Sequence, residues 1–123
     1  MELATRQVGP NLVVSFAGRV NLEGDTSIAF KDSLKVLIAD GHARVVVDLG
    51  NVGFMDSQGL GALISCLKVL RQVEGSFVLT NLSEPVEAVL RITRLIRVFD
   101  VQPTVEDALR ATGQQPAPAG TGA

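Results

Sequence analysis

The sequence predicts an α/β fold: a mixed β-sheet made of two N-terminal strands followed by alternating helices and strands, with the helices packed on it. Two short strand-like stretches near the N-terminus flank the turn cluster Gly9-Pro10-Asn11, the sequence of an antiparallel hairpin. Beyond them, helical periods alternate with near-continuous apolar runs, the order of parallel strands joined by right-handed crossovers. The run Val45-Val46-Val47 with Leu49 is apolar at consecutive positions, which suits a strand covered on both faces and therefore central in the sheet.

Each element follows from a local pattern. Residues 2–8 and 12–17 are the hairpin strands. Asn21 to Asp25 provide polar residues before a helix in which Phe30, Leu34, Leu37 and Ile38 recur at helical spacing, ended by Gly41. Residues 44–49 form the central strand, and a glycine-bearing loop leads to a second helix over 57–73. That helix carries Leu60, Leu63, Ile64, Leu67, Leu70 and Val73 on one stripe and Gln58, Lys68, Arg71 and Gln72 off it, and Gly75 stops it. Phe77-Val78-Leu79 is a buried strand. Ser83 caps a third helix with Pro85 in its first turn and Val86, Val89, Leu90 and Thr93 on its period. Val98-Phe99 is a short extended piece, and Thr104 opens a last helix with Asp107 placed as in a capping box and Val105, Ala108 and Leu109 facing inward. Residues 1–111 thus make one domain, and 112–123, rich in Gly, Gln, Pro and Ala, are expected to be a disordered tail.

Composition narrows the function. A chain of 123 residues with 46% apolar and 20% charged residues has the profile of a single globular domain. With no Trp or Tyr and only five Phe, the core must be aliphatic, and platforms for stacking bases are scarce. The 13 acidic and 11 basic residues give a net charge of −2, too little positive charge to hold a phosphate backbone, so no nucleic acid partner is expected. The lone Cys66 lies in a helical apolar pattern and reads as a small buried hydrophobe. His42, the only histidine, falls in the turn Asp40-Gly41-His42 and is expected to face solvent; neither a zinc set nor a catalytic triad follows, and no metal or cofactor is expected. There is no signal-peptide pattern and no apolar run long enough to span a bilayer, which predicts a cytoplasmic protein without a membrane partner.

The chemistry concentrates where the second helix opens on Asp56 and Ser57. The first turn of a helix presents unpaired N–H groups and a partial positive charge, so a group there can cap the helix, hold an anion or accept a phosphoryl group. The stretch Met55-Asp56-Ser57-Gln58-Gly59 approaches the nucleophile elbow Gly-x-Ser-x-Gly, but Met55 occupies the first glycine position and the only histidine lies upstream. No acyl-transfer enzyme is expected. Gly50 to Gly61 holds no lysine, which excludes a phosphate-binding P-loop. Ser57 or Asp56 can serve as N-cap, worth about 1 kcal/mol. Gly59 and Gly61 each cost on the order of 1 kcal/mol against Ala in a helix. Either the helix packs closely on the sheet, or a partner approaches its backbone at this end. A phosphorylated Ser57 would carry about −1.5 to −2 charges, be repelled by Asp56, and force apart an acidic or apolar partner surface while leaving the fold intact.

Taken with the element order and the strand Val45-Val46-Val47-Asp48-Leu49, the segment Phe54-Met55-Asp56-Ser57-Gln58-Gly59-Leu60-Gly61-Ala62-Leu63 resembles the Asp-Ser-x-Gly-Leu region of STAS-domain anti-sigma factor antagonists. Phe16-Ala17-Gly18-Arg19-Val20-Asn21, Arg97-Val98-Phe99 and Thr104-Val105-Glu106-Asp107-Ala108-Leu109 extend the similarity over residues 3–111. The resemblance implies a partner-switching module in which Ser57 is phosphorylated by a serine kinase of the histidine-kinase-like ATPase fold that is also the anti-sigma factor, with a separate phosphatase resetting it. It places the partner contact on Phe54, Met55, Asp56, Ser57, Gln58 and Gly59 with Asn21 beside them, Asn21 standing where the family commonly has Asp. It further implies no enzyme activity and a monomer or weak dimer that forms heterocomplexes. The alternative is a non-switching STAS adaptor subunit of a transport or signalling assembly, which needs only a cap at Ser57. Arg91, Arg94 and Arg97, at every third position, read as a solvated helix face.

Overall fold

The computed structural model describes residues 1–111. The expectation of a disordered tail concerns residues 112–123 and lies outside them. Strands β1 (Leu3–Val8), β2 (Asn11–Phe16), β4 (Arg44–Asp48), β6 (Ser76–Thr80) and β7 (Asp100–Gln102) form a five-stranded sheet in the order β1-β2-β4-β6-β7. Only the β1–β2 hairpin pairs antiparallel; the other neighbours are parallel. The triple-valine strand β4 sits at the centre, as its apolar run requires.

Alternation along the strands sorts the core into two layers. Val45 and Val47 face the larger layer with Leu12, Val14, Phe77 and Leu79, and α1 (Gly24–Ala39), α2 (Ser57–Gln72) and α3 (Glu84–Ile92) cover it. Phe16 stacks on Phe30 of α1 with ring centroids 5.3 Å apart. Val46 points to the opposite face with Val13 and Val78, where α4 (Val105–Ala111) covers them with Val105, Ala108 and Leu109. Thr104 caps that helix as expected, its hydroxyl accepting the Asp107 N–H at 3.1 Å, while the Asp107 carboxylate pairs with Arg110.

The structure corrects several expectations. The segment read as a loop after the central strand contains β5 (Val52–Met55), which pairs in parallel with β3 (Val20–Leu22) as a separate two-stranded ribbon. Both strands are too short to show a period. α2 is ended by Glu74, which takes the left-handed conformation (φ 57°) while the Gly75 N–H bonds back to Leu70 at 2.8 Å. Gly75 is required for space instead, since a Cβ there would lie 2.1 Å from the Ala43 carbonyl oxygen. Val73, past the end of α2, is 52% exposed and leaves the apolar stripe. Ser83 occupies the N-cap position of α3, but its hydroxyl donates to the Val52 carbonyl and caps nothing. The piece expected to be extended at Val98-Phe99 follows a single 3-10 turn at Leu95–Arg97, and the strand comes later, as β7. Arg91, Arg94 and Arg97 do not share a helix face: Arg91 lies on α3 paired with Glu87, Arg94 is left-handed (φ 64°), and Arg97 lies in the 3-10 turn. His42 is half-buried, its N–H closing the end of α1 on the Leu37 carbonyl at 3.2 Å.

Cys66 lies buried in the large layer, as its sequence context predicts. Burial pushes its thiol up to about 11, against a smaller lowering by Lys35 and Lys31. The unfolded thiol ionises near its ordinary value of 9.0 while the folded one keeps its proton to about 11, so in that window the native state binds more protons. This stabilisation is complete below the lower value and is lost as pH rises through the upper one. Denaturant titrations from pH 9 to 11 should therefore show stability falling more steeply for the native sequence than for Cys66→Ala. Parallel slopes would contradict the assignment.

Candidate functional site

The β3–β5 ribbon builds the site. Its register sets Asn21 against Phe54 and Leu22 against Met55. The turn that feeds it from β4 is tied down on three sides. Asp48 Oδ1 accepts the Gly50 N–H at 2.9 Å and the Asn81 side-chain amide at 3.1 Å. Asn51 Nδ2 donates to the Phe16 carbonyl at 2.8 Å, and its own carbonyl accepts the Val20 N–H at 2.9 Å. Ser83 Oγ donates to the Val52 carbonyl at 2.9 Å. A strand held this way delivers Met55 into the core and leaves Phe54 outside, 43% exposed.

The chain then turns into α2 at Asp56. Its N–H donates to the Leu22 carbonyl at 3.2 Å, and its carboxylate Oδ1 accepts the N–H groups of Gln58 and Gly59, both at 3.0 Å. Asp56 is thus the N-cap, and the choice the sequence left open between Asp56 and Ser57 is settled by geometry. Ser57 is the first helical residue, exposed, and among the described residues its hydroxyl has no hydrogen-bond partner. The carboxylate does the capping, so the hydroxyl is free at the positive end of the helix dipole.

Of the residues placed in the contact by resemblance, Asn21, Phe54, Ser57 and Gln58 are exposed and gathered at this end of the ribbon and helix. Asp56 is half-buried. Met55 and Gly59 are buried and offer no side-chain surface to a partner; they shape the site from beneath. For Gly59 the reason is packing. A Cβ there would lie 2.3 Å from the Leu22 carbonyl oxygen and 2.7 Å from Met55 Cγ, so only glycine lets α2 settle onto β3. Gly61 is different, since a Cβ there would meet nothing within 4 Å. Sequence reasoning missed Leu22, whose carbonyl receives Asp56 and abuts Gly59; a backbone atom in a three-residue strand leaves no signal in residue types. Among the described residues, no group of three His, Cys, Asp or Glu side chains is placed to hold a metal, and no helix is long and apolar enough to cross a membrane.

The two glycines should respond oppositely to the same change. Gly59→Ala should lower unfolding free energy by about 1–3 kcal/mol through overpacking. Gly61→Ala should raise it by up to ~1 kcal/mol through helix propensity. Urea titrations of the two variants check this, and a destabilised Gly61→Ala would contradict the open environment found at that position.

Comparison with known proteins agrees with this architecture. Residues 2–108 match the STAS domain family. BtrV of Bordetella bronchiseptica is 31% identical over 111 residues, covering 90% of this chain and 94% of its own. The anti-sigma-B factor antagonist of Bacillus subtilis is 34% identical over 86 residues, covering 68% of this chain and 71% of its own. In fold, the chain resembles the Bacillus anti-sigma factor antagonist SpoIIAA in its unphosphorylated form, with a TM-score of 0.77 at 19% identity over 94% of this chain and 100% of that one. SpoIIAA in its phosphorylated form gives 0.67 at 19% identity over 89% and 98%. The chain belongs to the STAS domain family and is similar to its anti-sigma factor antagonists.

Proposed function

We propose that this protein is an anti-sigma factor antagonist that works by partner switching. Unphosphorylated, it docks a serine kinase of the histidine-kinase-like ATPase fold that doubles as the anti-sigma factor, and so releases a sigma factor for transcription. The kinase phosphorylates Ser57: Oγ attacks the γ-phosphorus of ATP, the new Oγ–P bond replaces the bond to the ADP oxygen, and the hydroxyl proton passes to a base on the kinase. The phosphate ends the contact until a phosphatase removes it. The protein acts in the cytoplasm, as a monomer entering heterocomplexes, and itself catalyses nothing.

One observation carries this reading: the Ser57 hydroxyl is exposed and unengaged because Asp56 has taken over the cap. A kinase can therefore take this hydroxyl without unwinding α2. Once added, about −1.5 to −2 charges sit beside the Asp56 carboxylate and beside the exposed ring of Phe54. A partner surface suited to a neutral hydroxyl and an apolar ring then meets a dianion. The existence of SpoIIAA in both forms supports the same logic in a relative of this fold.

Incubation with the cognate kinase and ATP should add one phosphate, mapped to Ser57 by mass spectrometry. Ser57→Asp should bind that kinase at least about tenfold more weakly than Ser57→Ala. A phosphate mapped elsewhere would refute the switch, and equal binding by the two variants at matched stability would favour a non-switching adaptor.

A further inference from the structure

A Cβ at Gly61 would meet nothing within 4 Å, so packing does not require this glycine. It lies in an open groove of about 200 Å³ between α1 and α2, which runs from Gln58, next to Ser57, along the facing sides of the two helices. The wall contributed by α1 includes Ser27, which is 2% exposed and whose Oγ has no hydrogen-bond partner among the described residues. A buried hydroxyl without a partner is destabilising unless something else satisfies it. Lys31, one turn further along α1, is half-buried and, among the described residues, is the only charged one lining the groove. Ile28 and Ala62 supply apolar surface.

We propose that this groove is a second contact for the protein partner and receives one of its acidic side chains. The volume falls below the ~300–1,000 Å³ usual for small-molecule sites, and a single side chain suits it. The apolar stem of a Glu would lie against Ile28 and Ala62, and its carboxylate would meet the Lys31 ammonium and, after a change of the Ser27 rotamer, the enclosed Ser27 hydroxyl. The open space at Gly61 admits that stem against the backbone of α2, which gives the helix-weakening glycine a purpose. Among the described residues the lining holds one cation and no anion, which sets the sign of the charge that is accepted. The proposal rests on the reading that a partner docks at the neighbouring Ser57, and it extends that surface along α2.

Two measurements on the full chain test it. In the first, a capped glutamate and its capped glutamine counterpart are titrated against isotope-labelled protein by amide NMR. The expected result is a response centred on Ser27, Gly61 and Ser65 for glutamate, about tenfold weaker for glutamine and absent in Lys31→Glu. In the second, Lys31→Glu and Gly61→Leu, with stability checked by denaturant titration, should each bind the kinase about tenfold more weakly than the native chain. A capped glutamate that leaves those amides unmoved, or a stable Lys31→Glu that binds the kinase as the native chain does, overturns the groove. Ser57→Asp keeps the two readings apart. If it binds as the native chain does while the glutamate response is present, the switch fails and the groove stands; if it weakens binding while Lys31→Glu does not, the reverse holds.

Discussion

The pair of hydrogen bonds from the Gln58 and Gly59 amides to one oxygen of Asp56 is the constraint on which the site depends. A helix start needs an acceptor for its first-turn N–H groups, and a serine is among the residues best suited to supply it. Here an acidic neighbour supplies it, which removes the structural reason for the serine to stay tied down. In the proposed switch, this division of labour between adjacent residues would separate stability from signalling. Asp56 holds the helix, and Ser57 can change its charge without the helix losing its cap.

The cap is itself located by backbone. Leu22 in β3 receives the Asp56 N–H and lies against Gly59, so the two-stranded ribbon fixes both where α2 begins and how deeply it sits. The ribbon is anchored in turn by Asn51, Asp48 and Ser83, whose polar side chains reach to segments distant in sequence. These contacts tie the end of the molecule around Ser57 to segments of the main sheet. A pre-organised end of this kind would suit the proposed docking, because less ordering entropy is lost on binding.

Much of the fold was legible because burial leaves periodic traces. The triple valine of β4 announced a strand covered on both faces, and the stripe from Leu60 to Leu70 announced the buried side of α2. The Thr104 cap was visible because its partner is only three residues away. What stayed hidden depends on contacts distant along the chain. β3 and β5 are three and four residues long and exist by pairing with each other. Ser83 looked like a cap, but a carbonyl 31 residues upstream claims its hydroxyl. Met55 stands one residue from exposed Phe54 and points the opposite way, a consequence of strand alternation that a loop reading could not give. The glycines of α2 were legible as an anomaly but not as two different ones: Gly59 answers to Leu22, whereas Gly61 opens on a groove.

The central claim is that Ser57 is dispensable to the helix it begins, and amide hydrogen exchange at Gln58 and Gly59 tests it most directly. These two amides should keep their native protection in Ser57→Ala and lose it in Asp56→Ala. Loss of protection in Ser57→Ala would make the serine a working cap and leave no free hydroxyl to modify.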